Sequence, residues 1–261
     1  MDATTAIVVD AGELFGVVER VWWVALRVGA MMMLAPMVGT RMLPMRVRLI
    51  VTLALSVALA PLVSHAAPAI ALDAPTLLAM ARELAIGAAI GFTFRLGFEA
   101  FAFAGELISQ GMGLSFAQML DPLRGAQSPV MSTWFSIIAG LTFFAIDGHL
   151  ALVRVVLESY GFAAAGTTQT AHLLAAVPAF GQSMLAAGLS LALPVVIAML
   201  VVNIAFGVLA RTAPALNPIA IGLPAALLMG FVLLIALIPR LAAPLHDWLA
   251  TMTAAAAAAV R

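Results

Sequence analysis

Six long apolar runs follow one another along the chain, and each is long enough for a helix that crosses about 30 Å of hydrocarbon. Neither the period-two alternation of strands nor a repeat of about 20 to 50 residues is visible. The pattern therefore predicts an all-α protein of membrane-associated helices, folded as a single domain over residues 1–261. The runs are approximately Glu13–Pro36, Val47–Val63, Ala74 to the Gly111 region, Val130–Ile146, Pro178–Arg211 and Ile219–Ile238.

Local signals predict where several of these helices begin and end. The third run follows Asp73 and has Pro75 in its first turn, which is a helix-start pattern. The fifth run is expected to be interrupted at Gly188 and Pro194. The sixth is expected to end at Pro239, and the tail beyond it, which closes with six alanines, is at best weakly amphipathic.

Composition places the chain in the membrane class and excludes several activities. The 261 residues are 64% hydrophobic and 9% charged, whereas a soluble domain carries about 25% charge. Net charge is zero, which gives no reason to expect nucleic-acid binding. Every basic residue is Arg and Cys is absent. No nucleophile–base pair or metal-ligand spacing is seen, so we expect neither an enzyme nor a bound metal or cofactor.

The stretch Gly105–Pro129 interrupts this apolar material with helix-breaking Gly and Pro residues. Irregular backbone at membrane depth survives only when it is buried in protein or faces a water-filled path. The bulky apolar side chains of Phe116, Met119 and Leu120 on such a backbone can close a conduit. A re-entrant loop packed as ordinary core is the equal alternative at this point.

Charged residues concentrate in the third run, where a lipid-facing charge costs at least a few kcal/mol. Arg95, Glu99 and Glu106 share one helical stripe, which must therefore face protein or water. One interpretation is a proton-coupled secondary transporter that uses Glu99 and Glu106. The favoured interpretation is structural, with an Arg95–Glu99 pair and Glu106 docked on a neighbouring helix, because these charges lie near a helix end. The full set is Arg82, Glu83, Arg95, Glu99 and Glu106.

Two GxxxG patterns occur, one at Gly12 and Gly16 and the other at Gly87 and Gly91. Such patterns allow close helix contact. In so apolar a sequence they also arise often by chance.

Specific motifs resemble a known family. The string MGLSFAQMLDP at 112–122 and the quartet DGHL at 147–150 are the most specific, and PMRVRL at 44–49 and the segment 217–224 agree with them. Together they resemble the export-gate subunits of type III secretion, a family that includes flagellar FliR and the injectisome SctT proteins. The resemblance covers essentially the whole chain.

The resemblance implies a helical assembly rather than a lone protein. The expected partners are FliP-like, FliQ-like and FlhB-like subunits, unfolded flagellar export substrates and membrane lipid, at the flagellar basal body in the bacterial inner membrane. Helices would pack as hairpins in that assembly, and partner helices would cover the charged residues of the third run.

The resemblance also assigns a channel plug. The plug loop would include residues 112–127, with Phe116 and Met119 at the apolar constriction. Met119 departs from the aromatic residue that the family pattern leads us to expect. The predicted plug residues are Met112, Leu114, Phe116, Met119 and Leu120.

Overall fold

A computed structural model describes residues 11–36, 43–63, 70–71, 73–114, 130–162, 170–212 and 218–260. These ranges contain seven α-helices and one short 3₁₀ turn at Ala60–Leu62. The all-α prediction is confirmed. The helices are α1 Ala11–Leu34, α2 Met45–Leu59, α3 Ala74–Gly111, α4 Val130–Ala145, α5 Gly148–Phe162, α6 Thr170–Thr212 and α7 Pro218–Val260.

Helix α3 begins and ends where the local sequence signals predict. Asp73 caps its first turn, because the backbone N–H of Thr76 donates to the Asp73 carboxylate at 2.9 Å. Hydrogen bonds from the Thr76 hydroxyl and then from the Thr76 backbone lower the pKa of Asp73 below its ordinary value. At its other end the helix runs past Gly97 to Gly111, as expected.

The proline-based boundaries of the last two helices are wrong. Helix α6 is 43 residues long and continues through Pro178 and Pro194. Helix α7 does not end at Pro239 but continues to Val260. A proline removes one hydrogen bond of the helix ladder, and long apolar helices tolerate that loss because the remaining hydrogen bonds hold the helix on both sides of it.

Contacts divide the chain into two compact units, and α3 contributes to both. The first unit contains α1, α2, the first half of α3 and most of α5. Helices α1 and α2 pack together, and α3 crosses α1 through the second GxxxG pattern. A Cβ added at Gly87 would overlap the Arg27 carbonyl, and one at Gly91 would overlap the Met31 carbonyl. A Cβ added at Gly16, by contrast, would contact nothing within 4 Å beyond its own stretch of helix.

The second unit contains the rest of α3, together with α4, most of α6 and most of α7. Helix α6 approaches α3 closely at Gly188, where a Cβ would lie 2.7 Å from the Ala100 carbonyl oxygen. The end of α7 also packs on α3, since the Trp248 indole N–H donates to the Gly97 carbonyl at 3.2 Å. Met252 is 2% exposed there. The predicted weakly amphipathic tail is therefore a packed helix.

Three described helices are long and apolar enough to cross a membrane, within Met45–Leu62, Ala74–Gly111 and Pro178–Thr212. A fourth candidate is the pair α4 and α5, if the break between them lies inside one span. Helix α1 falls outside this set because it carries Glu13, Glu19, Arg20 and Arg27. In α7 the apolar stretch is the shorter Gly222–Leu237.

Candidate functional site

The end of α3 is built by a glycine-dependent cap. Gly113 adopts a left-handed φ of 77°, which a side chain would disfavour. Its N–H donates to the Gln110 carbonyl at 3.1 Å, and the Leu114 N–H donates to the Ser109 carbonyl at 3.0 Å. This pair of bonds is a Schellman motif, which satisfies carbonyls at the helix end. The backbone therefore leaves α3 in a fixed direction at the start of the predicted plug.

Met112 anchors that exit point in the core of the second unit. It is fully buried, and a Cβ added at Gly230 of α7 would lie 2.6 Å from the Met112 Cγ. The absence of a side chain at Gly230 thus makes the space that Met112 fills. This contact fixes the first residue of the segment against α7.

The first turn of α4, which follows the predicted plug in the sequence, packs on α3 close to the point where the plug begins. A Cβ added at Gly105 would lie 2.6 Å from the Met131 carbonyl oxygen in the first turn of α4. Gly105 is six residues before Gly111, which is about 9 Å along a helix axis. The segment between α3 and α4 therefore leaves and returns at neighbouring positions.

One polar contact from α6 reaches the same place. Asn203, the only polar side chain in α6 between Ser190 and Arg211, donates to the Gly111 carbonyl at 3.4 Å. That carbonyl has no helical N–H partner because α3 ends there. Sequence reasoning missed Asn203, although an isolated amide in a 20-residue apolar stretch is a usable signal.

Of the predicted plug residues, the structure describes Met112 and Leu114. Met112 is fully buried and Leu114 is half-buried. Phe116, Met119 and Leu120 lie outside the described residues. The structure therefore shows the base of the segment, and the plug role stays a prediction.

The DGHL quartet forms the sharp turn between α4 and α5. Asp147 has a left-handed φ of 57°. A Cβ at Gly148 would overlap the ring of Phe143, so only glycine fits beside it. His149 lies against Phe144, with ring centroids 5.5 Å apart. The motif that carries the resemblance is thus a turn whose geometry requires glycine at its centre.

A buried ion pair joins α1 to α3 in the first unit. The Arg27 guanidinium donates two hydrogen bonds to the Glu83 carboxylate, each 2.7 Å long. It donates a third to the Ser159 hydroxyl at 2.7 Å and lies 3.7 Å from the centre of the Tyr160 ring. Arg27 and Glu83 are both fully buried. Glu83 was expected to be buried, but its partner lies within the chain, 56 residues away.

The other charged residues of α3 have different surroundings. Arg82 is half-buried, whereas Arg95 and Glu99 are exposed. Glu106 is half-buried and accepts a hydrogen bond from the Gln110 amide at 3.1 Å. A proton relay needs carboxylates enclosed along a path, so these positions give no support to the transporter alternative. Burial of Arg82, Arg95, Glu99 and Glu106 between subunits stays a prediction.

Within the described ranges, no three His, Cys, Asp or Glu side chains group closely enough to hold a metal ion. The described clusters consist instead of packing contacts, helix caps and the buried Arg27–Glu83 ion pair. The cap at the end of α3 can position the loop that follows it, and the ion pair can hold α1 and α3 together.

Comparison with known protein sequences identifies the family. Residues 18–252 match the family described as bacterial export proteins, family 1. The chain belongs to this family.

The similar proteins are named flagellar biosynthetic protein FliR, and the predicted resemblance to FliR is confirmed. The chain is 34% identical over 223 residues to flagellar biosynthetic protein FliR of Escherichia coli, which covers 85% of each chain. FliR of Caulobacter vibrioides is 34% identical over 216 residues, or 80% of this chain and 84% of that one. FliR of Pectobacterium carotovorum is 30% identical over 232 residues, or 88% of both.

Proposed function

We propose that the chain is a non-enzymatic subunit of the flagellar type III protein export gate. It helps to form, and it plugs, the conduit for unfolded flagellar proteins across the bacterial inner membrane, at the flagellar basal body. Its partners are FliP-like, FliQ-like and FlhB-like subunits. Family membership and the 34% identity to a FliR protein support the export role.

Exposed apolar surface supports an assembled, membrane-associated state. Helix α2 leaves Ile50 64% exposed, and α6 leaves Val201 62% exposed. Similar side chains continue along both helices. A soluble monomer rarely exposes contiguous apolar patches of this kind. Lipid and partner helices are the surfaces that would cover them.

The observation that carries the plug proposal is the frame at both ends of segment 112–129. Gly113 sets the exit direction, Met112 is held against Gly230, and Gly105 receives the start of α4. The two described ends of the segment therefore lie close together on α3. A plug needs such a fixed origin, because it must return to the same constriction.

Deletion of Phe116 to Leu120 tests the plug. We expect the gate to assemble with unchanged yield and to leak ions and small solutes, because the apolar seal is gone while the frame remains. The double change Phe116→Ala and Met119→Ala should act in the same direction. The measurements are membrane conductance or solute uptake in cells that express the full gate, and the yield of the purified complex.

A matched control is the double change Ile137→Ala and Leu141→Ala on α4, which removes apolar side chains that are 55% and 67% exposed. It should cause no leak. An assembled, tight gate after the deletion rejects the plug role. Loss of assembly favours a packed core segment instead.

A further inference from the structure

The last residue of α3, Gly111, meets α6 through two side chains that lie one helical turn apart. A Cβ added at Gly111 would lie 3.6 Å from the Cβ of Met199, and the Asn203 amide donates to the Gly111 carbonyl at 3.4 Å. Met199 is fully buried, whereas Asn203 is exposed. Both contacts lie within the second unit. The end of α3 is thus held to α6 by one apolar and one polar contact.

An amide is unfavourable at position 203 unless it forms a hydrogen bond. The position lies within Pro178–Thr212, which is long and apolar enough to cross a membrane, and nearby Val201 and Ile204 expose apolar side chains. A polar group placed in apolar surroundings without a partner costs free energy. The hydrogen bond to Gly111 offsets that cost and satisfies a carbonyl at the helix end. This bond accounts for the presence of an amide in an apolar stretch.

The polar contact supplies an orientation that the apolar contacts do not. Met112 packs against Gly230, but a methionine side chain has three rotatable bonds and apolar packing has no preferred direction. A hydrogen bond weakens when donor and acceptor move out of line. The Asn203 amide therefore restricts rotation of the last turn of α3, from which the Gly113 cap directs the backbone onward.

We propose that Asn203 is a positioning residue for the plug. By holding the Gly111 carbonyl, it keeps the end of α3 in the one rotation that aims the plug at its constriction. Without this bond the last turn rotates, and the seal misses the constriction for part of the time. The inference rests on the proposed function, because Asn203 acts through the plug and not as a part of the seal.

The first test is Asn203→Leu, which keeps the size of the side chain and removes its donor. Efflux of K⁺ from liposomes that contain the purified assembled gate should rise about two- to fivefold, the lower part of the range for a neutral hydrogen bond, because the bond is long. The yield of the gate should not change. Ser183→Ala is the matched control, since the Ser183 hydroxyl donates to the Ala179 carbonyl of its own helix. It should leave the efflux at the parent value.

The second test combines Asn203→Leu with the deletion of Phe116 to Leu120. The deletion removes the seal, so the position of the end of α3 no longer affects the leak. Asn203→Leu should therefore add nothing to the efflux of the deletion variant. Two residues that act independently would instead multiply their effects.

A covalent link gives the third test. The added Cβ at Gly111 and the Cβ of Met199 are 3.6 Å apart, within the range of a disulfide, and the chain has no Cys that could compete. Gly111→Cys and Met199→Cys, introduced into the Asn203→Leu variant, should leak when reduced and return to the parent efflux when oxidised. The same pair with Asn203 retained is the control, and its efflux should not respond to oxidation.

Each contrary result assigns Asn203 another role. Lost yield after Asn203→Leu makes it a packing residue, and an unchanged efflux removes it from gating. A further rise in the deletion variant, a leak that persists once the disulfide has consumed both thiols, or thiols that never pair also reject the proposal. If the deletion itself leaves the gate tight, the plug of the proposed function fails. If the deletion leaks and Asn203→Leu does not, only the role of Asn203 fails.

Discussion

Replacement of Glu83 by Gln is expected to remove about 3–5 kcal/mol from the stability of the folded chain. The change keeps the shape of the side chain but leaves the Arg27 guanidinium buried without its counter-charge. The yield of the co-purified export complex should fall steeply, and resistance of the chain to protease in detergent should fall with it. Both quantities can be measured on the same preparation.

The double change Arg27→Met with Glu83→Gln should recover much of that loss, because it removes the unpaired charge as well as the pair. Arg20→Gln, on the exposed surface of the same helix, is the matched control and should stay within about 0.5 kcal/mol of the parent. Additive losses in the double variant would show that the two side chains do not depend on each other.

Replacement of Gly87 by Ala should cost about 3 kcal/mol, the upper end of the range for overpacking. The added methyl group overlaps the Arg27 carbonyl, and backbone cannot move aside as a flexible side chain can. Helices α1 and α3 must then separate, which also displaces the guanidinium of Arg27 from Glu83. Cross-linking between cysteines placed on α1 and α3, together with complex yield, would report the separation.

Gly16→Ala and Gly181→Ala are suitable controls, since the added methyl group at either position has no neighbour within 4 Å beyond its own stretch of helix. Both should be neutral or slightly stabilising, because alanine favours the helix over glycine. Equal losses at Gly16 and Gly87 would contradict a specific contact between α1 and α3.

Local signals in the sequence were sufficient to predict several elements of this fold. The start of α3 at Asp73 and its end near Gly111 follow from residues within one turn of each boundary. The turn at Asp147 was predicted for the same reason. The interruption predicted at Gly188 and Pro194 and the end predicted at Pro239 are wrong, because in an apolar helix one missing hydrogen bond does not break the rest of the ladder.

Contacts between segments that are distant in the sequence could not be predicted from local sequence patterns. Periodicity on α3 places Glu83 on a helix face but cannot choose Arg27, on another helix, as its partner. The pattern at Gly87 and Gly91 predicts where a second helix comes close to α3, but it does not predict which helix that is. Phe116 and its neighbours lie outside the described residues, so their role depends on experiment.

The packing of Met112 against Gly230 also limits which substitutions these two positions can accept. The two positions share one volume, because the methionine occupies the space that a side chain on α7 would need. A larger residue at Gly230 creates an overlap, and a smaller one at Met112 leaves a void, so either change alone is harmful. A paired exchange that keeps the shared volume filled is the neutral route, so we expect tolerated substitutions at the two positions to occur together.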